Sequence, residues 1–331
     1  MATLGGITPT RNLALELARV TEAAALSAGR YMGRGAKEQA DQAAVNAMRL
    51  VLGTLDMNGI IVIGEGEKDN APMLFNGEVV GNGTGMAVDV AVDPIDGTRP
   101  LAFGRSSSLA TVAVAPRGTM FNPGPFVYMN KIAVGPEARG RISIEKSISE
   151  NLEIIASAKH TQVEDLTTII LDRDRHKDMI AEIRKAGARI RVIPDGDVAA
   201  ALMTAWPDSG VDVLFGIGGT PEGVLAACAL RAMGGEIQGK LYARDEKELR
   251  RGLEAGYNFE KVLTMDDLVS SEDVFFAATG ITDGELLKGV RYFGNGARTD
   301  SLVVRGLTGT VRQIIATHRI DKLHQLSSIK Y

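Results

Sequence analysis

Cysteine is almost missing from these 331 residues. Cys228 stands alone, so no internal disulfide can form and no multi-cysteine zinc site can be built. Histidine is scarce too, with only His160, His176, His318 and His324, which argues against an imidazole-rich metal centre. No apolar run approaches the ~20 residues that a membrane-spanning helix needs, and no charged segment precedes an apolar one at the start in the manner of a signal peptide. Excess positive charge is lacking as well: the formal net charge is −4, which does not suit a nucleic-acid surface. The expectation is a cytoplasmic globular chain with no nucleic-acid partner and no membrane association.

What is present supports a sizeable core. Hydrophobic residues make up 45% of the chain, and at ~100–200 residues per domain the length suggests two domains. Within residues 12–33, Leu13, Leu17, Val20 and Ala24 recur at helical spacing, and "ADQAAVNAMRLVLGTL" reads as a second helix. "GIIVIGEGEKD" is a short buried strand broken at Gly64, and further strands are expected near 87–93, 108–115 and 127–134. This first part reads as α+β with a mostly antiparallel sheet. From about residue 150, strand and helix patterns alternate, the signature of a parallel, helix-covered α/β sheet whose strands end in "DRDRH", "PDGD" and "GIGGTPEG". The expected division is therefore 1–150 and 151–331, with two more strands in the tail.

Two nucleotide-like motifs fail on inspection. "GIGGTPEG" has Pro221 where a third glycine belongs, and "GGEIQGKL" has Leu241 where a P-loop needs Ser or Thr. Carboxylates are the better lead. The apolar run Val88–Val92 carries Asp89 and delivers Asp93 and Asp96 beyond it. Buried acids need partners, and the expectation is that metal ions and a phosphate balance them. Pro94 ends the strand, while Gly97 allows close approach to a ligand. "IGEGEKD" adds Glu65, Glu67 and Asp69, and Asp41 lies close to an apolar helix face. Oxygen donors without Cys or His suit Mg²⁺ or Mn²⁺, metals that commonly serve phosphate chemistry.

The remaining strand ends fit the same picture. Thr220 fits an N-cap with Pro221 as the first helical residue, so this helix start can face an anion, with Glu222 in its first turn. Arg173 and Arg175 suit a phosphate held without metal, and Asp195 and Asp197 suit sugar hydroxyls. Each has a plainer alternative as an ordinary capped loop or solvated acid; it is their grouping that raises them.

Taken together, "VTEAAALSAGRYMGRG", "ADQAAVNAMR", "VIGEGEKDNAPML", "AVDPIDGT", "YMNKIAVGP", "ILDRDRH", "IPDGDVAAA" and "GIGGTPEGV" resemble class II fructose-1,6-bisphosphatases, within the magnesium-dependent, lithium-sensitive sugar and inositol phosphatases. The resemblance covers nearly the whole chain. It implies a layered αβαβα sandwich and hydrolysis of the 1-phosphate of fructose 1,6-bisphosphate in gluconeogenesis, by a homo-oligomer (dimer or tetramer) using Mg²⁺ or Mn²⁺. The 1–150 part would then bind metal, and the 151–331 part would complete the sugar-phosphate site.

Position by position, the resemblance implies Asp41, Glu65, Asp93, Asp96 and Glu222 as metal ligands. Substrate contacts would come from Asp96, Gly97, Thr98, Tyr128, Arg173, Asp174, Arg175, Asp195, Gly196, Asp197 and Gly219. Thr98, Asp69, Glu67 and Lys37 would carry the catalysis. Two departures stand out: Ala36 in "GRGAK", where many members have an acid, and Asp96, where many have Glu. The alternatives are a dual fructose-1,6-/sedoheptulose-1,7-bisphosphatase, an inositol-phosphate phosphatase, or a sugar-phosphate-binding protein without turnover.

Overall fold

The computed structural model describes residues 13–66, 73–124, 126–329 and 331. In chain order, α1 (Leu13–Ala28) and α2 (Lys37–Leu52) precede β1 (Met57–Ile63), β2 (Val79–Val80) and β3 (Met86–Asp96). The short α3 (Thr98–Ala102) leads to β4 (Leu109–Pro116) and β5 (Tyr128–Val134). Next come α4 (Ile148–Ala158), β6 (Thr167–Leu171), α5 (Lys177–Ala186) and β7 (Arg189–Ile193). They are followed by α6 (Asp197–Met203), β8 (Val213–Gly219), α7 (Thr220–Met233) and β9 (Glu236–Leu241). The chain closes with α8 (Glu246–Glu254), α9 (Met265–Leu268), β10 (Phe275–Gly280), β11 (Arg291–Phe293), β12 (Gly296–Arg305), β13 (Thr310–Arg319) and α10 (Ile320–Leu326).

Among the described residues these strands form two sheets. The first is eight-stranded, ordered β11-β12-β10-β4-β3-β1-β2 with β13 paired to β12; the second is five-stranded, ordered β7-β6-β8-β5-β9. Side-chain alternation along β4 sorts the layers. Ala110, Val112 and Val114 pack against α1 and α2, while Leu109, Ala113 and Ala115 face the space between the sheets. That space is filled by α6 and α7. Helix α7 is buried nearly all round, from Val224 to Ala232, because it has a sheet on each side. Beyond the second sheet, Leu152 and Ile155 of α4 and Ile183 of α5 cover Ile132, Ile170 and Phe215. The layers therefore run α, β, α, β, α, the sandwich that the resemblance implied. No described helix is long and apolar enough to cross a membrane.

The two N-terminal helices, the three early strands and the two tail strands form where the pattern placed them. Residue 150, however, does not separate the sheets. The first sheet takes β10, β12 and β13 from beyond it, and the second takes β5 from before it. The apolar faces of α6 and α7 need a sheet on both sides, and no contiguous half of the chain provides both. Nor is the second sheet wholly parallel: β6, β7 and β8 are parallel, while β5 is antiparallel to β8 and β9.

Asp89 also departs from expectation. Metals and phosphate do not balance it: it lies 3.5 Å from Arg117 and accepts the Thr119 and Met120 N–H groups at 3.0 and 3.2 Å. Local partners within the fold satisfy it, so it belongs to the core.

Candidate active site

β1 and β3 run parallel and deliver their carboxyl ends to one edge of the first sheet. Asp93 and Asp96 are three residues apart, so a regular strand would turn them to opposite faces. The pairing of β3 with β4 corrects this. Asp93 lies opposite Thr111 and Asp96 opposite Leu109, so three steps on β3 match two on β4. The extra residue is a bulge at Pro94-Ile95, held where the Ile95 N–H donates to Asp93 Oδ1 at 3.0 Å. Both acids then line one cleft of about 340 Å³, together with Gly64, Glu65, Thr98, Asp195, Asp197 and Glu222.

Two turns of the same build meet at this cleft. Gly97 (φ 88°, ψ 51°) starts α3 and Gly196 (φ 89°, ψ 58°) starts α6, both in the left-handed region that glycine tolerates. A Cβ on either would press on the Ser107 carbonyl, at 3.3 and 3.2 Å. The turns are linked, because Asp96 Oδ2 accepts the Ala199 N–H of α6 at 3.2 Å and so caps a helix whose own N-cap has no side chain. Gly97, not Thr98, is the N-cap of α3; the Thr98 hydroxyl instead donates to the Ile95 carbonyl at 3.2 Å.

The third arm comes from β8, which runs directly into α7. The helix begins one residue earlier than expected: Gly219 is its N-cap and Thr220 its first residue, because no loop intervenes. Thr220 Oγ1 is buried with no hydrogen-bond partner in the structure. The paired glycines make room for acids. A Cβ on Gly218 would fall 2.0 Å from Asp197 Oδ2, and one on Gly219 1.6 Å from Glu222 Oε2.

Electrostatics divide the cleft. Burial, then the charges of Asp96, Glu222 and Glu65, hold the Asp93 carboxyl well above the usual range. Burial and Asp197 raise Asp96, with the Ala199 N–H acting against them. Burial and Asp197 also lift Glu222 to about 7, despite Lys131. Crowding by the cleft walls, then Asp41, raises Glu65 at the solvent-open rim to about 7. Asp41 lies outside the cleft lining but is raised by burial, opposed by the Lys37 ammonium and the Thr98 hydroxyl. Asp197, by contrast, has a built-in cation: Lys131 Nζ lies 2.5 Å from Asp197 Oδ2 and donates to the Gly219 carbonyl at 2.9 Å. Lys131 was missed in the motif reading. Its signal was a lone charge in the apolar strand "YMNKIAV".

The other expected residues distribute as follows. Arg173 and Arg175 turn to different neighbours. Arg173 donates to the Pro194 carbonyl at 2.6 Å and lies 3.4 Å from Asp195, whereas Arg175 donates to the Ile217 carbonyl at 2.7 Å and sits 5.2 Å over the Tyr128 ring. Arg244, which no motif pointed to, sits 5.9 Å over the same ring. Asp174 faces solvent and pairs with Lys177 at 2.8 Å, away from the cleft. His176 is a buried strut between strand ends: Nδ1 donates to the Leu171 carbonyl at 2.7 Å, and Nε2 accepts the Ile217 N–H at 2.8 Å. Glu67 and Asp69 lie outside the described residues.

The residues fit a hard divalent cation by their chemistry. The donors are carboxylate oxygens gathered around one cleft and repelling one another, and among the described residues Glu65, Asp93 and Asp96 have no ion pair. Among the described residues no three of them already stand close enough to cage an ion.

Residues 11–318 match the family model described as bacterial fructose-1,6-bisphosphatase, glpX-encoded. The chain is 47% identical over 329 residues to fructose-1,6-bisphosphatase 1 class 2 of Escherichia coli (strain K12), covering 94% of this chain and 96% of that protein. The fructose-1,6-bisphosphatase class 2 of Shigella flexneri matches to the same extent.

Proposed function

This chain belongs to the bacterial, glpX-encoded fructose-1,6-bisphosphatase family, and from that premise we propose how its cleft works. The enzyme hydrolyses fructose 1,6-bisphosphate: water attacks the 1-phosphorus, the bond to the sugar oxygen breaks, and fructose 6-phosphate and inorganic phosphate leave. This is a step of gluconeogenesis. Identity of 47% over 94% of the chain carries the reading.

Asp41, Glu65, Asp93, Asp96 and Glu222 would hold Mg²⁺ or Mn²⁺. Such an ion, when bound, neutralises phosphate charge and lowers the pKa of water. The chain's own residues do the rest. Thr98, held at the bulged end of β3 beside Asp41, orients the attacking water through its hydroxyl, and Asp41 or Glu65 accepts the proton in turn. Glu67 and Asp69 extend this acidic wall. Asp195, Gly196 and Asp197 receive the sugar hydroxyls, with Lys131 holding the Asp197 carboxylate in place through its ion pair. Tyr128 and Arg175, joined by Arg244, hold the phosphate that is not cleaved, while Arg173 positions Asp195. The five-layer arrangement supports placing the family among the lithium-sensitive sugar and inositol phosphatases, and the single buried thiol suits a cytoplasmic enzyme.

The test is phosphate release from fructose 1,6-bisphosphate, sedoheptulose 1,7-bisphosphate and inositol monophosphate, each with Mg²⁺, Mn²⁺ or EDTA. Fructose 1,6-bisphosphate should be cleaved fastest, and chelation should abolish turnover until metal is returned. No release from any substrate with either metal would leave a binding protein instead.

A further inference from the structure

Beside the acidic cleft lies a larger one of about 640 Å³, between the start of α2, α3 with the turn after it, and the ends of β6 and β7. Its wall carries Lys37, Arg99, Arg105 and Arg173 against a single acid, Asp172. Lys37, Arg99 and Arg105 make no close ion pair with any described residue, although the Lys37 charge acts on Asp41 and the Arg99 charge on Asp195 without touching them. Like charges gathered around one cavity repel, and an anion placed among them lowers that cost. Guanidinium forks match phosphate oxygens in particular. Helix α2 adds to the field, since it opens into the cavity at Lys37 and its N-cap, Ala36, has no side-chain acceptor for the first-turn N–H groups.

We propose that this cleft is an anion site that takes the phosphate group of a small ligand, apart from the phosphate being cleaved. In the function proposed above, the uncleaved phosphate of the substrate goes to Tyr128, Arg175 and Arg244, which lie on another side of β6. The basic cleft is coupled to catalysis through its wall. Arg173 is shared with Asp195, which lines the acidic cleft, and Arg99 directly follows Thr98. An occupant that draws Arg173 away releases Asp195, so occupancy slows turnover.

The test uses the full chain in EDTA, where the acidic cleft lacks cations and repels anions, with inorganic phosphate titrated by calorimetry. Wild type should bind a single phosphate, Arg105→Glu should weaken binding at least about tenfold, and Arg105→Lys should stay within about threefold. Arg105 is exposed, so neither change disturbs the core. Kinetics with Mg²⁺ then identify the source of the phosphate. Unchanged KM for fructose 1,6-bisphosphate, with weaker inhibition by added phosphate, marks a free anion; a matching rise in KM would put the substrate's own second phosphate here and overturn a separate inhibitory site. Absence of phosphate binding in EDTA, or equal binding by wild type and Arg105→Glu, overturns the proposal even if the enzyme is a normal bisphosphatase.

Discussion

The turns Asp96-Gly97-Thr98 and Asp195-Gly196-Asp197 share one backbone device but carry opposite electrostatics. Each ends a strand, passes through a left-handed glycine against Ser107, and starts a helix. In the second turn every acid has a resident cation: Arg173 for the part-exposed Asp195 and Lys131 for the buried Asp197. In the first, Asp96 faces Asp197, Glu222 and Asp93, and among the described residues a backbone N–H is what offsets them. The same fold element therefore makes a self-neutralised grip for hydroxyls on one side and an acidic pocket that calls for an external cation on the other.

The largest effect should follow from removing the hydroxyl that distinguishes the first turn. Thr98→Ala should lose roughly 10²–10⁴-fold in kcat, the usual share of positioned proton transfer, while Thr98→Ser keeps most of it. Because Gly97 is the N-cap, the change should leave Tm almost untouched. Near-normal turnover by Thr98→Ala would refute the assignment.

Removing the second turn's cation should make it resemble the first. Lys131→Met leaves Asp197 buried without its partner and should cost ~3–5 kcal/mol in urea unfolding, most of it restored by adding Asp197→Asn. The matching change on the part-exposed pair, Arg173→Met, should cost less, about 1 kcal/mol. Equal losses from the two would mean that burial does not distinguish these pairs.

The first turn's missing cation should also appear as a pH slope. Glu222 has a folded pKa of about 7 against an ordinary 4.5, so the folded state holds its proton more tightly. That stabilisation is complete below the ordinary value and is lost as pH rises towards about 7. Glu65, Asp93 and Asp96 are shifted in the same direction. In EDTA, unfolding free energy should therefore fall across this window, and saturating Mg²⁺ should flatten or reverse the slope. A flat profile in EDTA would contradict the crowding of these acids.

The smallest effect tests what the turns share. Gly97→Ala and Gly196→Ala should each cost ~1–2 kcal/mol, since both need the left-handed conformation. Thermal unfolding should show similar losses, and a freely tolerated alanine at either position would end the parallel between them.

Much of this was legible along the chain because its causes are local. A glycine between two polar residues invites a left-handed turn, and the near-continuous apolar run of β4 marks a strand buried on both faces, whereas Pro94 does not end β3, which continues through a bulge to Asp96. Eight ordered motifs were enough to indicate the family. The acid inventory was readable too, including Asp93, Asp96 and Glu222, though not how it was shared out.

That sharing depended on pairings between distant segments. Asp93 and Asp96 join one cleft only because β4 imposes a bulge on β3. Asp89 is a core residue only because Arg117 and the 119–120 backbone come to it. Lys131 reaches Asp197 across β5 and β8, and Arg173 and Arg175 part because β6 lies between β7 and β8. The sequence by itself determined which strand ends carry acid, base and glycine, since conformational preference and hydrophobic period act over a few residues. Which charges meet was decided only by the tertiary structure, because Coulomb and desolvation terms depend on neighbours that strand register brings within a few ångströms.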